Sequence, residues 1–383
     1  PLYLYGTGTN SAWGALRKTT SSATTLRGIT TIGADSRIAV TAGGLTFSTN
    51  IVIGAANTLY VTNAVTVQMT GGEMTGGKQT GDGAVFKTGS GTLTIRPGST
   101  LTGTIVLAQG ELRQDTGNSS VLPAGGTLVL SNGVTYRSDG TTAREVAKAT
   151  RVDGDVTLGY SGGGTLTFSG TVDLNAGQRS LSAANDVVVS GVVSNGGLTK
   201  AGSGVLTLSG ANSYASGTLI RAGVLQVGNN GTNGYITGNI TNNAALAYYR
   251  TDAHTVSAVL SGTGALTNLA GTLTLTGAST LSGNTTVSGG ILIQNGTNVS
   301  SAVTVASGAF LYGTGSNGTT TVNGQLSAGS ATNTVGNLKA AALNLENNGR
   351  MAVDITAMTG TAGVNWDVIT LGSGGGTYTV NAA

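Results

Sequence analysis

Few residues in this chain of 383 are equipped for chemistry. The 15 acids are scattered, and the best-spaced pair is Asp153 and Asp155, which strand alternation would place on one face. Around them lie Arg137, Asp139, Arg144, Glu145, Lys148 and Arg151, the most charged stretch of the sequence. Carboxylates beside a guanidinium are what polysaccharide lyases and hydrolases use, either directly or through Ca²⁺. Asp153, Asp155, Arg137 and Arg151 are therefore the candidate glycan or ion site, weighed against a plain solvated loop of mixed charge. His254 follows Asp252, but it is the single histidine and there is no cysteine, so neither a metal set nor a triad can be assembled around it. No Gly-x-Ser-x-Gly elbow with acid and histidine partners stands out. Gly-x-Gly spacings such as Gly262-Thr263-Gly264 open no helix, and the Gly-Gly-x-Gly-x-Asp calcium nonapeptide does not recur. The expectation is a chain with no catalytic, cofactor-binding or metal-ligating residues and no cofactor. Its basic stretch, 137–151, is too small for nucleic acid.

The elements that must carry these residues follow from composition and rhythm. Glycine is 65 of 383, proline only 3, and charged residues only 9%, far below the ordinary quarter. With 39% apolar residues and a net charge of +3 the chain folds, under a surface of Thr, Ser, Asn and Gly. Charge is uneven: residues 1–151 hold 12 basic and 7 acidic residues, and residues 152–383 hold 6 and 8. No apolar run reaches the length of a membrane helix, so no membrane insertion by this segment is expected. A chain opening on Pro1 reads as a processed or trimmed product.

From Thr31 onward short β-forming runs recur about every seven residues, as in Ile38-Ala39-Val40, Leu45-Thr46-Phe47 and Ile51-Val52-Ile53. Three such strands per coil predict a coil of roughly 20–25 residues. Internal copies stand out. Lys200-Ala201-Gly202-Ser203-Gly204-Val205-Leu206-Thr207-Leu208 is echoed by Lys87-Thr88-Gly89-Ser90-Gly91-Thr92-Leu93-Thr94-Ile95. A further echo is Gly271-Thr272-Leu273-Thr274-Leu275-Thr276-Gly277. Stacking equivalent strands pairs every backbone group and buries the inward Leu, Val and Ile in one column. Roughly 16–18 coils, about 80 Å of stack, are expected over the whole chain. Residues 71–84 and 137–151 read as loops, the stretch Ala143 to Arg151 as an excursion from the stack.

Across 196–228 the sequence closely resembles the autotransporter-associated β-strand repeat, with partial resemblance at 81–114 and 262–294. Gly324-Gln325-Leu326-Ser327-Ala328-Gly329-Ser330, followed by Leu343-Asn344-Leu345, is similar to the segment that closes such arrays. There a Pro-Gly is usual, and Ala328-Gly329 and Val335-Gly336 stand in its place. The resemblance implies an all-β fold, a single right-handed parallel β-helix, outside the cell or at a bacterial surface. The expected organisation is an N-terminal strand, capping or assembly segment over 1–30, a β-helix over 31–307 and closing coils over 308–383.

The ends of such a stack expose strand edges. Leu2, Tyr3, Leu4 and Tyr5 at one end, and Thr377, Tyr378, Thr379 and Val380 at the other, are the candidate assembly strands. Head-to-tail addition through them would give open filaments. The functional expectation is a non-enzymatic extracellular scaffold, an adhesive rod or fibre subunit. Its expected partners are itself and a host surface, a neighbouring cell or glycans. The alternative is a carbohydrate-active or glycan-binding β-helix of the tailspike kind.

Overall fold

The computed structural model describes residues 2–5, 15–42, 45–47, 51–53, 58–63, 67–69, 74–76, 84–95, 102–114, 121–122, 124–329, 334–346, 348–356, 359–372 and 378–380. Among these residues there is no helix, and the named strands pair in parallel throughout. The coils form a β-solenoid. They amount to about 13 turns among the described residues, fewer than the 16–18 expected for the whole chain. The chain comprises two compact units, Pro1–Leu206 and Thr207–Ala383.

In the first unit the register runs Leu16, Ile38, Val61, Lys87, Leu107, Leu130, Val152 along one column. Successive steps are 20–26 residues, the coil length that three short strands and their corners need. Strands of three residues alternate buried, half-buried, buried, as in Val156–Leu158, Leu166–Phe168 and Val187–Val189. Their outer residues point inward, and Ile38, Leu107, Leu130, Val152 and Phe168 are almost wholly excluded from solvent. The residue between them, often Thr or Val, faces out. Each inward aliphatic side chain contributes about 1.5–3 kcal/mol of burial, so the column rather than any single strand holds the coil. Residues 16–26 already belong to this stack, since Leu16–Lys18 and Thr24–Leu26 pair with Ser36–Val40 and Leu45–Phe47.

The second unit follows the same rule with a shrinking coil. Its column runs Leu225, Leu246, Leu266, Thr285, Val303, Thr320, in steps of 21, 20, 19, 18 and 17 residues. The next steps, to Leu343 and then Tyr378, lengthen to 23 and 35. As the coil contracts, Thr285 and Thr320 replace aliphatics at inward positions, and both are buried.

Two stretches expected as loops contain strands. Ala143 to Arg151 is no excursion: Arg144–Val146 and Ala149–Val152 stack in register on Leu166–Phe168 and Thr127–Leu130. Arg144 and Lys148 point inward and are buried. Their aliphatic stems pack like any core side chain while their heads reach backbone carbonyls. The helix-forming composition of the segment is overridden by this packing. Within 71–84, Met74–Gly76 is a strand paired with Ile51–Ile53, and residues 71–73 and 77–83 lie outside the described residues.

Candidate functional site

Asp153 and Asp155 do not share a strand face. Strand Ala149–Val152 ends just before them, and both sit in the corner that follows. Arg151 grips the Asp153 carboxylate with two hydrogen bonds, Nε to Oδ1 at 2.8 Å and Nη2 to Oδ2 at 2.9 Å. Asn175 Nδ2 donates to the same Oδ1 at 2.9 Å. The hydrogen bond from Arg151 holds the Asp153 carboxyl below the usual carboxylate range. Asp155 faces other partners. Its Oδ1 accepts from Ser180 N at 2.9 Å, and its own N–H donates to Asn132 Oδ1. One coil on, Asp173 Oδ1 accepts from Asn175 N and Asn195 Nδ2 at 2.7 and 3.0 Å. The acids and amides of this corner thus stitch coil to coil. A carboxylate held ionised by a guanidinium fork is poorly placed to act as a general acid, which needs a pKa near the working pH.

Arg137 belongs to a separate ladder. Its Nε pairs with Glu111 Oε2 at 2.9 Å, and its guanidinium lies 4.9 Å from the Tyr160 ring centroid. The parallel register sets Arg113 beside Arg137, and Arg113 Nε donates to Thr94 Oγ1 at 3.1 Å. The four residues expected as one site therefore divide, with Arg151, Asp153 and Asp155 at one corner and Arg137 elsewhere. No group of three or more metal-ligating side chains occurs among the described residues. His254 is half-buried, its ring centroid 5.7 Å from that of Tyr248, and burial lowers its pKa.

At the N-terminal end, Leu2–Leu4 pairs with Thr30–Ile32. Leu4 is buried, Tyr3 and Tyr5 are exposed, and the Tyr5 ring lies over Gly33. At the other end Tyr378, Thr379 and Val380 pair in parallel with Leu343, Asn344 and Leu345. Thr377 lies outside the described residues.

Sequence reasoning missed the lysines. Among the described residues four of them are buried, and each caps backbone carbonyls. Lys87 Nζ donates to Thr88 O at 2.9 Å, Gly89 O at 2.6 Å and Gln109 O at 3.1 Å. Lys200 Nζ donates to Ala201 O and Gly202 O, both at 2.8 Å. Lys148 reaches Thr102 O, Gly103 O and Gly125 O, and Lys18 reaches Thr20 O. These ammoniums serve carbonyls that turn inward at a corner and lose their ladder partners. Burial pushes Lys87 and Lys200 down to about 8. The signal was present: Lys87 and Lys200 hold the same place in two copies, each two residues before a corner glycine, in segments otherwise nearly free of charge.

The fold and these corners define a repeat-built parallel β-solenoid whose polar groups mostly serve the stack. The passenger-associated-transport-repeat family matches residues 85–113, 198–227 and 270–293. The adhesin BmaC autotransporter of Brucella suis biovar 1 (strain 1330) is 50% identical over 54 residues, covering 14% of this chain and 2% of that protein. The matched region is thus a small part of that relative's length. No solved structure matches. The chain thus carries passenger-associated-transport repeats, and over them it is similar to autotransporter passengers, which are secreted to the bacterial cell surface.

Proposed function

We propose that the chain is a non-catalytic structural element of a bacterial surface adhesin, which presents its outer faces to other cells. The passenger repeats carry this reading, together with a relative that is itself named an adhesin. The satisfaction of Asp153, Asp155 and Asp173 by neighbouring coils supports a structural rather than a catalytic use of the acids. The test is adhesion of beads coated with the purified chain to host epithelial cells and to bacterial cells, with polysaccharide cleavage assayed alongside. Adhesion above bare beads without cleavage is the expected result. Cleavage of any polysaccharide, or no adhesion to either cell type, would overturn the proposal.

Head-to-tail assembly is a second reading. It is favoured by the exposed aromatic side chains of Tyr3 and Tyr5 at strand Leu2–Leu4. A second copy adding a strand there would give filaments. Sedimentation velocity over a hundredfold concentration range, with Leu4→Lys as the disrupting variant, tests it. A single slow species at every concentration sinks the idea.

A further inference from the structure

The second unit carries a cleft of about 390 Å³ on its outer surface, and corner lengths explain it. Three successive coils cross one corner between strand pairs Val303–Val305 and Phe310–Tyr312, Thr320–Val322 and Gln325–Ser327, Leu343–Leu345 and Arg350–Ala352. The connections are residues 306–309, 323–324 and 346–349. The middle corner is therefore two residues shorter than the corners on either side. It lies tight against the coil below: a Cβ on Gly324 would stand 2.2 Å from Ala309 O and 2.4 Å from Ala306 O, so only glycine fits. Its neighbours bulge outward as turns, closed by Ala309 N to Ala306 O at 3.0 Å and Gly349 N to Glu346 O at 2.7 Å. Nothing lies within 4 Å of the Cβ position of Gly308, so the space above that bulge is open.

The register lines one wall of this notch. Phe310, Gln325 and Arg350 are consecutive rungs of one outward column, about 10 Å from first to last. Asn323 and Asn348 line the corner side. Phe310 and Gln325 are half-buried, and Arg350 is exposed. Among the described residues, the side chains of Asn323, Gln325, Asn348 and Arg350 make no hydrogen bond and no ion pair, in contrast to the saturated corner of Asp153. Among the described residues no acid lines the cleft.

We propose that this notch binds a carboxylated saccharide. The apolar face of a sugar ring packs on Phe310, the amides of Asn323, Gln325 and Asn348 take its hydroxyls, and Arg350 takes the carboxylate in a charge-assisted fork. A cleft of this volume with one ring, several amides and one cation suits a short acidic glycan. The inference rests on the adhesive reading and names the class of ligand for it.

The test is calorimetric titration of the whole chain with trigalacturonate, with sialyllactose, and with the carboxyl-reduced form of each. One or both acids should bind, with at least tenfold weaker binding after reduction. Arg350→Gln should lose at least tenfold for the acids and little for the reduced sugars, and Phe310→Ala should lose all four. Arg221→Gln, an exposed arginine outside the cleft, should change nothing. Unaltered circular dichroism and melting of each variant confirm that the coils persist. If neither acid binds, or if Arg350→Gln and Phe310→Ala bind like the parent, the inference is overturned. Cell adhesion retained by both variants also overturns the notch as the adhesive site while leaving adhesion standing. Loss of adhesion by both variants, with Arg221→Gln still adhering, supports it.

Discussion

Lys200 and Asn268 hold the same place in two copies of one repeat, Leu198-Thr199-Lys200 and Leu266-Thr267-Asn268, and they close the corner differently. In the first copy the chain leaves strand Val193–Ala201, turns through Gly202–Gly204 and re-enters at Val205–Leu208. The ammonium folds back over that corner onto Ala201 O and Gly202 O. In the second copy the corner is one residue shorter, and the strand runs unbroken from Ala265 to Leu275. Asn268 ties upward to the next coil instead, with Nδ2 donating to Gly289 O at 3.0 Å and Ile291 O at 3.1 Å. Its Oδ1 has no partner. A wide corner leaves a hollow with several inward carbonyls, which a long cation fills. A tight corner leaves room for an amide only. Corner length thus selects the capping side chain, and Lys87, beside the three-residue corner Gly89–Gly91, follows the wide pattern.

The largest expected effect comes from closing the wide corner sterically. Gly202 has φ +74°, and a Cβ there would lie 2.3 Å from Ala183 O. Gly202→Val should cost about 3 kcal/mol or more and abolish hydrogen-exchange protection of the surrounding coils. Next is the cap. Lys200→Met leaves two inward carbonyls unserved and should cost about 1–3 kcal/mol, read as faster exchange and easier proteolysis between Val193 and Leu208.

The same substitution should change the pH profile. Burial lowers Lys200 from the ordinary 10.5 to about 8. Between those values the unfolded chain keeps a proton that the folded chain has released, so this group makes stability rise with pH through that window. Below pH 8 both states are charged and the burial penalty is felt in full. The buried hydroxyls of Tyr136, Tyr214 and Tyr248, pushed up by burial, act in the opposite sense above pH 10. The difference between parent and Lys200→Met in chemical denaturation at pH 8 and pH 10 isolates the lysine, and the parent should gain relative to the variant. No relative gain would mean that Lys200 is charged throughout.

Asn268→Leu should matter less, about 1 kcal/mol, because one of its polar atoms is already unpartnered. The smallest effect is expected at the exposed Arg151–Asp153 fork, where Arg151→Gln should cost less than about 1 kcal/mol and less still in high salt. A loss there equal to that of Lys200→Met would erase the distinction between core caps and surface stitches.

Much of this architecture was readable in advance. Alternation in stretches such as Leu166-Thr167-Phe168 assigns faces, and recurrence at about one coil length makes those faces stack. The passenger repeat was legible for the same reason, since its strands and corner glycines recur in order. The failures have separate physical causes. Charged residues default to solvent, so Arg144 and Lys148 suggested a loop, whereas the inward-turned corner carbonyls that receive their heads appear only once the coils are stacked. Asp153 and Asp155 were paired by an alternation that ends at Val152, before either of them. The notch at Phe310 and Arg350 was illegible because it is a property of three corners compared, and no single corner has an unusual sequence.

The unequal corners also say something about descent. In a stack where each coil touches only its neighbours, removing two residues from one corner leaves every ladder intact and opens a recess at the surface. A binding site can then arise by a short in-frame deletion, furnished with whatever side chains the flanking coils already display. Such a lineage can turn over its ligands quickly while its core sequence stays still.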